Sequence, residues 1–145
     1  MNKLFPIESD HPLFRYFTEA ERDRIERIGE VRHVAADEFL IRAGDADSTL
    51  FAIEEGHLDI VVDRDGKPAV VATVGPGDVL GEVSFLDDSP RATSVRTGEE
   101  PVTVRAWDKR SLSEGLAFEP QVLAKFAVAM CELLVERMRD MSRRV

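Results

Sequence analysis

The stretch Ser48-Thr-Leu-Phe-Ala-Ile-Glu-Glu-Gly-His-Leu-Asp-Ile-Val-Val62 decides the fold class. Two apolar-rich runs, 48–53 and 57–62, flank a Glu55-Gly56 turn signal, and each is too short to be a helix of ordinary length. They read as two strands. The same texture continues outward in both directions. From Val31 to about Trp107 the period stays near two, and further strands are predicted at 31–34, 38–42, 69–74, 92–96 and 102–107. Turn signals at 43–45, 65–66, 75–78 and Gly98 separate them. Short strands with many turns make a β-sandwich or β-roll. Asp63-Arg-Asp-Gly-Lys-Pro68 predicts a hairpin, because Asp-Gly accepts the positive φ angles of the primed turns. The same residues resemble the start of a calcium loop, but Val74 stands where that loop needs its closing acid.

Helical patterns flank this β region. Thr18 with Glu21 three residues on forms a capping box, in which hydroxyl and carboxylate each satisfy an orphan amide. Leu13, Phe14, Phe17, Ile25 and Ile28 supply a buried face, and Gly29 ends the helix. After Pro120, residues 121–144 read as one long helix. Its apolar stripe of Val122, Phe126, Ala129, Met130, Leu133, Leu134, Met138 and Met141 is wider than one seam. Part of it can pack on the β-roll and part on a second copy, which makes a homodimer through this helix an expectation. Arg137, Arg139, Arg143 and Arg144 suit its negative C-terminal end. The expected fold is therefore mainly β with flanking helices, a jelly-roll-like β-roll of about eight strands in a single domain over 1–145. Residues 1–30 form an N-terminal helical part, 31–107 the roll, and 108–145 a C-terminal helical part.

Composition narrows the function. The chain has 145 residues, 43% hydrophobic and 32% charged, as soluble globular proteins do. A net charge of −9 repels DNA and anionic membranes, so a phosphate-bearing ligand must be small and met by local charge. No run approaches the ~18 apolar residues of a membrane span, and the N-terminus lacks the pattern of a signal peptide. With a single cysteine, Cys131, expected to be a small buried hydrophobe, a reducing cytoplasm fits best.

Enzymatic readings fail for want of parts. His11, His33 and His57 are isolated on different elements, at none of the usual metal-ligand spacings. Gly81-Glu-Val-Ser-Phe85 lacks the second glycine of a nucleophile elbow, and no Gly-x-x-x-x-Gly-Lys phosphate loop occurs. Neither catalytic residues nor a metal or cofactor is expected.

Leu80-Gly-Glu-Val-Ser-Phe-Leu-Asp-Asp-Ser-Pro-Arg-Ala-Thr-Ser-Val95 carries the remaining chemistry. A short helix starting near Glu82 aims its free amides at an anion. Gly81 permits close backbone approach. Glu82 offers an acceptor for a ribose hydroxyl, and Arg91 offers the planar fork of donors that fits phosphate oxygens. On chemistry alone, Glu82 and Arg91 pairing with each other or with solvent explains the spacing equally well. Asp87 and Asp88 read as a solvated turn.

This segment resembles the phosphate-binding cassette of the cyclic nucleotide-binding domain family, which includes kinase regulatory subunits, nucleotide-gated channels and the bacterial catabolite activator. The family's Gly-Glu, apolar and small residues, short loop and Pro-Arg-small pattern falls on 80–93 here, with Glu82 and Arg91 nine residues apart. Similarity extends over His11–Glu21, Ala36–Val61 and Ala69–Glu82; Asp37 departs from it, standing where the family usually has glycine. The resemblance implies that Glu82 accepts from the ribose 2′-hydroxyl and Arg91 pairs with the cyclic phosphate. It places the amides of Gly81, Val83, Ser84 and Ala92 around that phosphate, with Thr93 positioned to add a hydroxyl. Val71 and Thr73, or their neighbours, are candidates to line the base pocket. It also implies that the C-terminal helix rearranges as a lid when ligand binds, and that an effector protein receives the signal. Family members that favour cyclic GMP carry threonine after the arginine; Ala92 here points to cyclic AMP over cyclic GMP. No DNA-binding segment follows the long helix, so a stand-alone domain is expected. The alternative is a degenerate relative that binds no nucleotide and serves as a protein-interaction or dimerisation module.

Overall fold

The computed structural model describes residue 5 and residues 9–143, with side chains to residue 140, and forms two compact units. One is Gly29–Lys109; the other comprises the described parts of 1–28 and 110–145.

The Gly29–Lys109 unit holds eight strands: β1 (Glu30–Val34), β2 (Phe39–Ile41), β3 (Leu50–Glu55), β4 (Leu58–Arg64), β5 (Lys67–Val74), β6 (Val79–Leu80), β7 (Ser94–Thr97) and β8 (Val102–Trp107). They make two four-stranded antiparallel sheets, ordered β1-β8-β3-β6 and β2-β7-β4-β5. Alternation explains why the sheets face each other. On β8, buried Val102, Val104 and Ala106 alternate with half-buried Thr103 and Arg105. Phe51 and Ile53 lie opposite Ala106 and Val104 on β3, and Ile41, Leu58 and Val95 join the same core from the second sheet. This is the β-roll that the strand pattern predicts.

Two local features depart from the sequence reading. β6 is only two residues long, too short to show a period, and exists because Phe51 and Ala52 pair with Leu80 and Val79. β7 begins at Ser94 rather than Ala92. The Arg91 amide donates to Asp45 O at 2.9 Å and Gly44 N donates to Arg91 O at 2.8 Å, so the chain is tied to the 44–45 turn before it enters the ladder. Asp37 has φ 57°, the left-handed conformation that explains a family preference for glycine and that aspartate tolerates better than most residues. Its turn is secured by buried Thr97, whose Oγ1 donates to Ala35 O at 2.7 Å and accepts from Glu38 N at 2.9 Å. The predicted hairpin turn at Asp65-Gly66 has φ 54° and 78°, as a type I′ turn requires.

In the helical unit, α1 (Glu19–Ile28) starts on the expected box: Glu21 N donates to Thr18 Oγ1 at 3.2 Å, and Thr18 N to Glu21 Oε1 at 3.0 Å. Before the long α4 (Pro120–Arg143) comes α3 (Lys109–Gly115), whose first residue belongs to the β unit. Its single buried apolar residue, Leu112, gives no periodic signal. Gly115 lets α3 approach α1, since a Cβ there would lie 2.7 Å from Ile28 Cδ1. The buried face of α4 is Val122, Phe126, Ala129, Met130 and Leu133. Cys131, expected to be buried, is exposed: it follows Met130 by about 100° of helical rotation and so leaves that face. Met138 is 67% exposed, whereas Arg144 and the side chains of Met141 and Arg143 lie outside the described residues. Polar ties join α4 to the preceding part of its unit: Lys125 to Glu21 at 2.7 Å, Arg15 to Glu132 at 2.9 Å, and the Tyr16 hydroxyl to Glu132, while Arg24 pairs with Glu119 just ahead of the helix. No described helix is long and apolar enough to cross a membrane.

Candidate ligand-binding site around Arg91

The pairing of Phe51 with Leu80 delivers the chain at the end of β6 to Gly81, which turns it into α2 (Glu82–Asp87). Gly81 caps this helix at φ 81°, ψ 17°, and its carbonyl accepts from Phe85 N at 3.0 Å. The amides of Val83 and Ser84 precede that first bond and so have no acceptor within the helix. Asp88, at φ 57°, closes the helix by donating to Ser84 O at 2.8 Å. Glu82, Ser84 and Phe85 are buried, while Val83 and Leu86 face outward.

Arg91 returns to this corner. Its side chain is 2% exposed. Nη2 donates to Thr49 O at 2.6 Å and to Asp47 Oδ2 at 3.0 Å, and Nη1 donates to Gly81 O at 3.3 Å. A guanidinium has five N–H groups. The buried Nε–H finds no acceptor among the described residues. A buried donor without a partner costs about 1–3 kcal/mol, so an acceptor brought to this corner is favoured. Gly81 makes the arrangement possible: a Cβ there would lie 2.4 Å from Arg91 Nη1 and 2.7 Å from Thr49 O.

Asp47 is the residue that sequence reasoning missed. Its Oδ1 accepts from Thr49 N at 3.1 Å and from Thr49 Oγ1 at 2.7 Å, an Asx turn that Asp-Ser-Thr makes legible. Its contact with Arg91, 44 positions later, leaves no local signal. Burial pushes the Asp47 carboxyl up, but hydrogen bonds from Thr49 and Arg91 outweigh that and hold it below its ordinary value.

The other candidate residues divide. Glu82, Ser84 and Arg91 are buried, Gly81 touches Arg91, and Val83 sits in the first turn of α2 with its side chain exposed. Ala92, exposed, and Thr93, half-buried, form a bend ahead of β7 rather than its first strand residues. Alternation along a strand therefore does not fix where Thr93 points. Val71 is 39% exposed beside the β4–β5 register shift. Thr73 does not join the interior face: it pairs with Asp59, to which its hydroxyl donates at 2.9 Å, one residue out of phase with the core-packed Val74. Ala72, itself exposed, pairs with Ile60 in the same strand phase as Leu58 and Val74. Asp87 and Asp88 engage Ser89 N and Lys109, as turn residues do. Among the described residues no group of His, Cys, Asp and Glu is arranged to hold a metal ion. A second groove, walled by Glu55, Asp59, Glu99 and Glu100, has the wrong charge for an anion.

Residues 31–117 match the family model described as cyclic nucleotide-binding domain. The chain is 35% identical over 86 residues to a cAMP-dependent protein kinase regulatory subunit of Mycosarcoma maydis, covering 59% of this chain and 16% of that protein. It spans less than a third of the length of the fungal kinase subunits it matches. Among solved structures, a cyclic nucleotide-binding domain from Methylobacillus flagellatus superposes with TM-score 0.80 at 25% identity, over 92% of this chain and 75% of that one. The regulatory domain of Toxoplasma gondii PKA, solved with cAMP, gives TM-score 0.63 at 27% identity, over 71% and 39%. The roll, its two sheets and its flanking helices are those of these structures, and the chain belongs to the cyclic nucleotide-binding domain family.

Proposed function

We propose that this chain is a regulatory module that binds a 3′,5′-cyclic mononucleotide, cyclic AMP in preference to cyclic GMP. The observation that carries this reading is the buried Arg91 guanidinium, held by Thr49, Asp47 and Gly81 with its Nε–H still without an acceptor, beside the first-turn amides of α2. In this reading the phosphate takes donors from Arg91, from the Val83, Ser84 and Ala92 amides and from the close backbone at Gly81. Glu82 accepts from the ribose 2′-hydroxyl, and Thr93 adds a hydroxyl. Val71 with its neighbour Ala72 lines the base. The signal passes by rearrangement of the C-terminal helix to an effector protein, and ligand shifts that equilibrium only by its differential affinity for the two arrangements.

Calorimetry with cyclic AMP tests the site. Arg91→Ala removes a charge-assisted fork, a loss of about 2–5 kcal/mol, so affinity should fall at least ~30-fold. Because Arg91 also holds Thr49 and Gly81, Arg91→Lys serves as the second variant: charge is kept, the fork is not, and affinity should still drop. Unchanged affinity in both variants would remove Arg91 from the site. For self-association, the support is an exposed side of α4 carrying Leu123, Ala127, Cys131, Val135 and Met138. A monomer by light scattering, with and without ligand, refutes the dimer.

A further inference from the structure

Asp47 does more than support Arg91. We infer that the Asp47–Arg91 pair sets the charge of ligand the site accepts, admitting the singly charged cyclic phosphodiester and rejecting the ring-opened nucleoside monophosphate. This rests on the cyclic nucleotide reading above.

The argument is one of local charge. Arg91 is the cation of the corner, and its Nη2 is 3.0 Å from the Asp47 carboxylate. Asp47 is tied in place by the Thr49 amide and hydroxyl, so it does not swing away when an anion arrives. The pair is therefore neutral before ligand binds. A cyclic diester brings one negative charge, which the free Nε–H and the α2 amides accommodate. A 5′-monoester carries close to two negative charges at neutral pH. Among the described residues Arg91 is the one cation bonded to Asp47, Thr49 O and Gly81 O, so a second negative charge is left beside the Asp47 carboxylate that already neutralises it. A monoester presents phosphate oxygens to the same donors, so the donors by themselves do not separate the two ligands. Asp47 is 42% exposed, so the repulsion is screened by salt, and part of the selectivity should be lost at high ionic strength.

The test is competition of adenosine 3′,5′-cyclic monophosphate and adenosine 5′-monophosphate against a fluorescent cyclic nucleotide on the full chain at pH 7.5, for the parent and Asp47→Asn. Asparagine removes the charge and keeps one acceptor: with its oxygen on Thr49, an NH2 group replaces the oxygen that accepts from Arg91, so both absolute affinities can shift and the ratio of the two is what reads the charge. The ratio of the two affinities should narrow by roughly 10-fold in Asp47→Asn, about 1.4 kcal/mol. A ratio within twofold of the parent's overturns the inference, and so does an equal weakening of both ligands, which would make Asp47 only a positioning residue. The salt series needs no variant: a parent ratio independent of ionic strength from 50 to about 500 mM also overturns it. A parent chain that binds neither nucleotide refutes the underlying site reading, and this inference falls with it.

Discussion

Replacing Gly81 with alanine isolates what the corner at Arg91 demands. The backbone at residue 81 sits at φ 81°, where a side chain costs about 1–2 kcal/mol. The new Cβ would also stand 2.7 Å from Thr49 O and 2.4 Å from Arg91 Nη1, both too close. Thr49 O belongs to the backbone and cannot step aside; Arg91 can, but only by stretching bonds of 2.6 Å to Thr49 O and 3.0 Å to Asp47. Crowding of this kind typically costs a further 1–3 kcal/mol, so the total is about 2–5 kcal/mol. Urea denaturation with linear extrapolation reads that loss directly, and the melting temperature should fall by roughly 10 °C. Gly81→Asn separates the two causes, since asparagine tolerates the left-handed region but carries the same Cβ. If steric crowding dominates, both variants suffer alike. In an Arg91→Ala background the cost of Gly81→Ala should shrink, because one of the two close contacts is gone. A Gly81→Ala protein within about 0.5 kcal/mol of the parent would refute this account of the corner.

Three further outcomes are expected. Cyclic AMP should outcompete cyclic GMP on the parent, and Ala92→Thr should narrow the gap by supplying a hydroxyl for the guanine amino group, an effect of about 1–3 kcal/mol; if cyclic GMP wins on the parent, the base is chosen elsewhere. Thr97→Val keeps the shape but strips the acceptor of Glu38 N and the donor to Ala35 O, so unfolding free energy should drop by about 2 kcal/mol, and a change below ~0.5 would show the turn is held without it. Acid should loosen the helical unit. Burial pushes Glu21 up, but hydrogen bonds from Lys125 and Thr18 outweigh it and hold it below the ordinary 4.5. A depressed carboxyl stabilises the fold above its unfolded value and loses that contribution as pH falls through its folded one. Lys125→Met should therefore lower stability at neutral pH and flatten its decline from roughly pH 5 to 3; parallel curves for parent and variant would exclude this bond as the cause.

Periodicity alone determined the fold class of this protein. The alternation of Val102, Val104 and Ala106 with Thr103 and Arg105, the Asp65-Gly66 turn and the Thr18–Glu21 box are all set by residues within a few positions of one another. The cassette over 80–93 was legible for the same reason, since Gly81, Glu82 and Arg91 lie on one short segment. What escaped was non-local or too brief to have a period: β6, which exists only through its pairing with β3, and α3, with one buried apolar residue. Cys131 was misjudged because an apolar stripe eight residues rich does not say which side of α4 will be covered. Which of Val71, Thr73 and their neighbours turns inward is fixed by the register of β5 against β4, not by the residues of β5 themselves. Only the folded chain brings Asp47 to Arg91 across 44 positions, with Thr49 O and Gly81 O completing the fork. Long-range pairing decides which acid meets the cation, because a buried guanidinium takes whatever acceptors the β-roll sets around it.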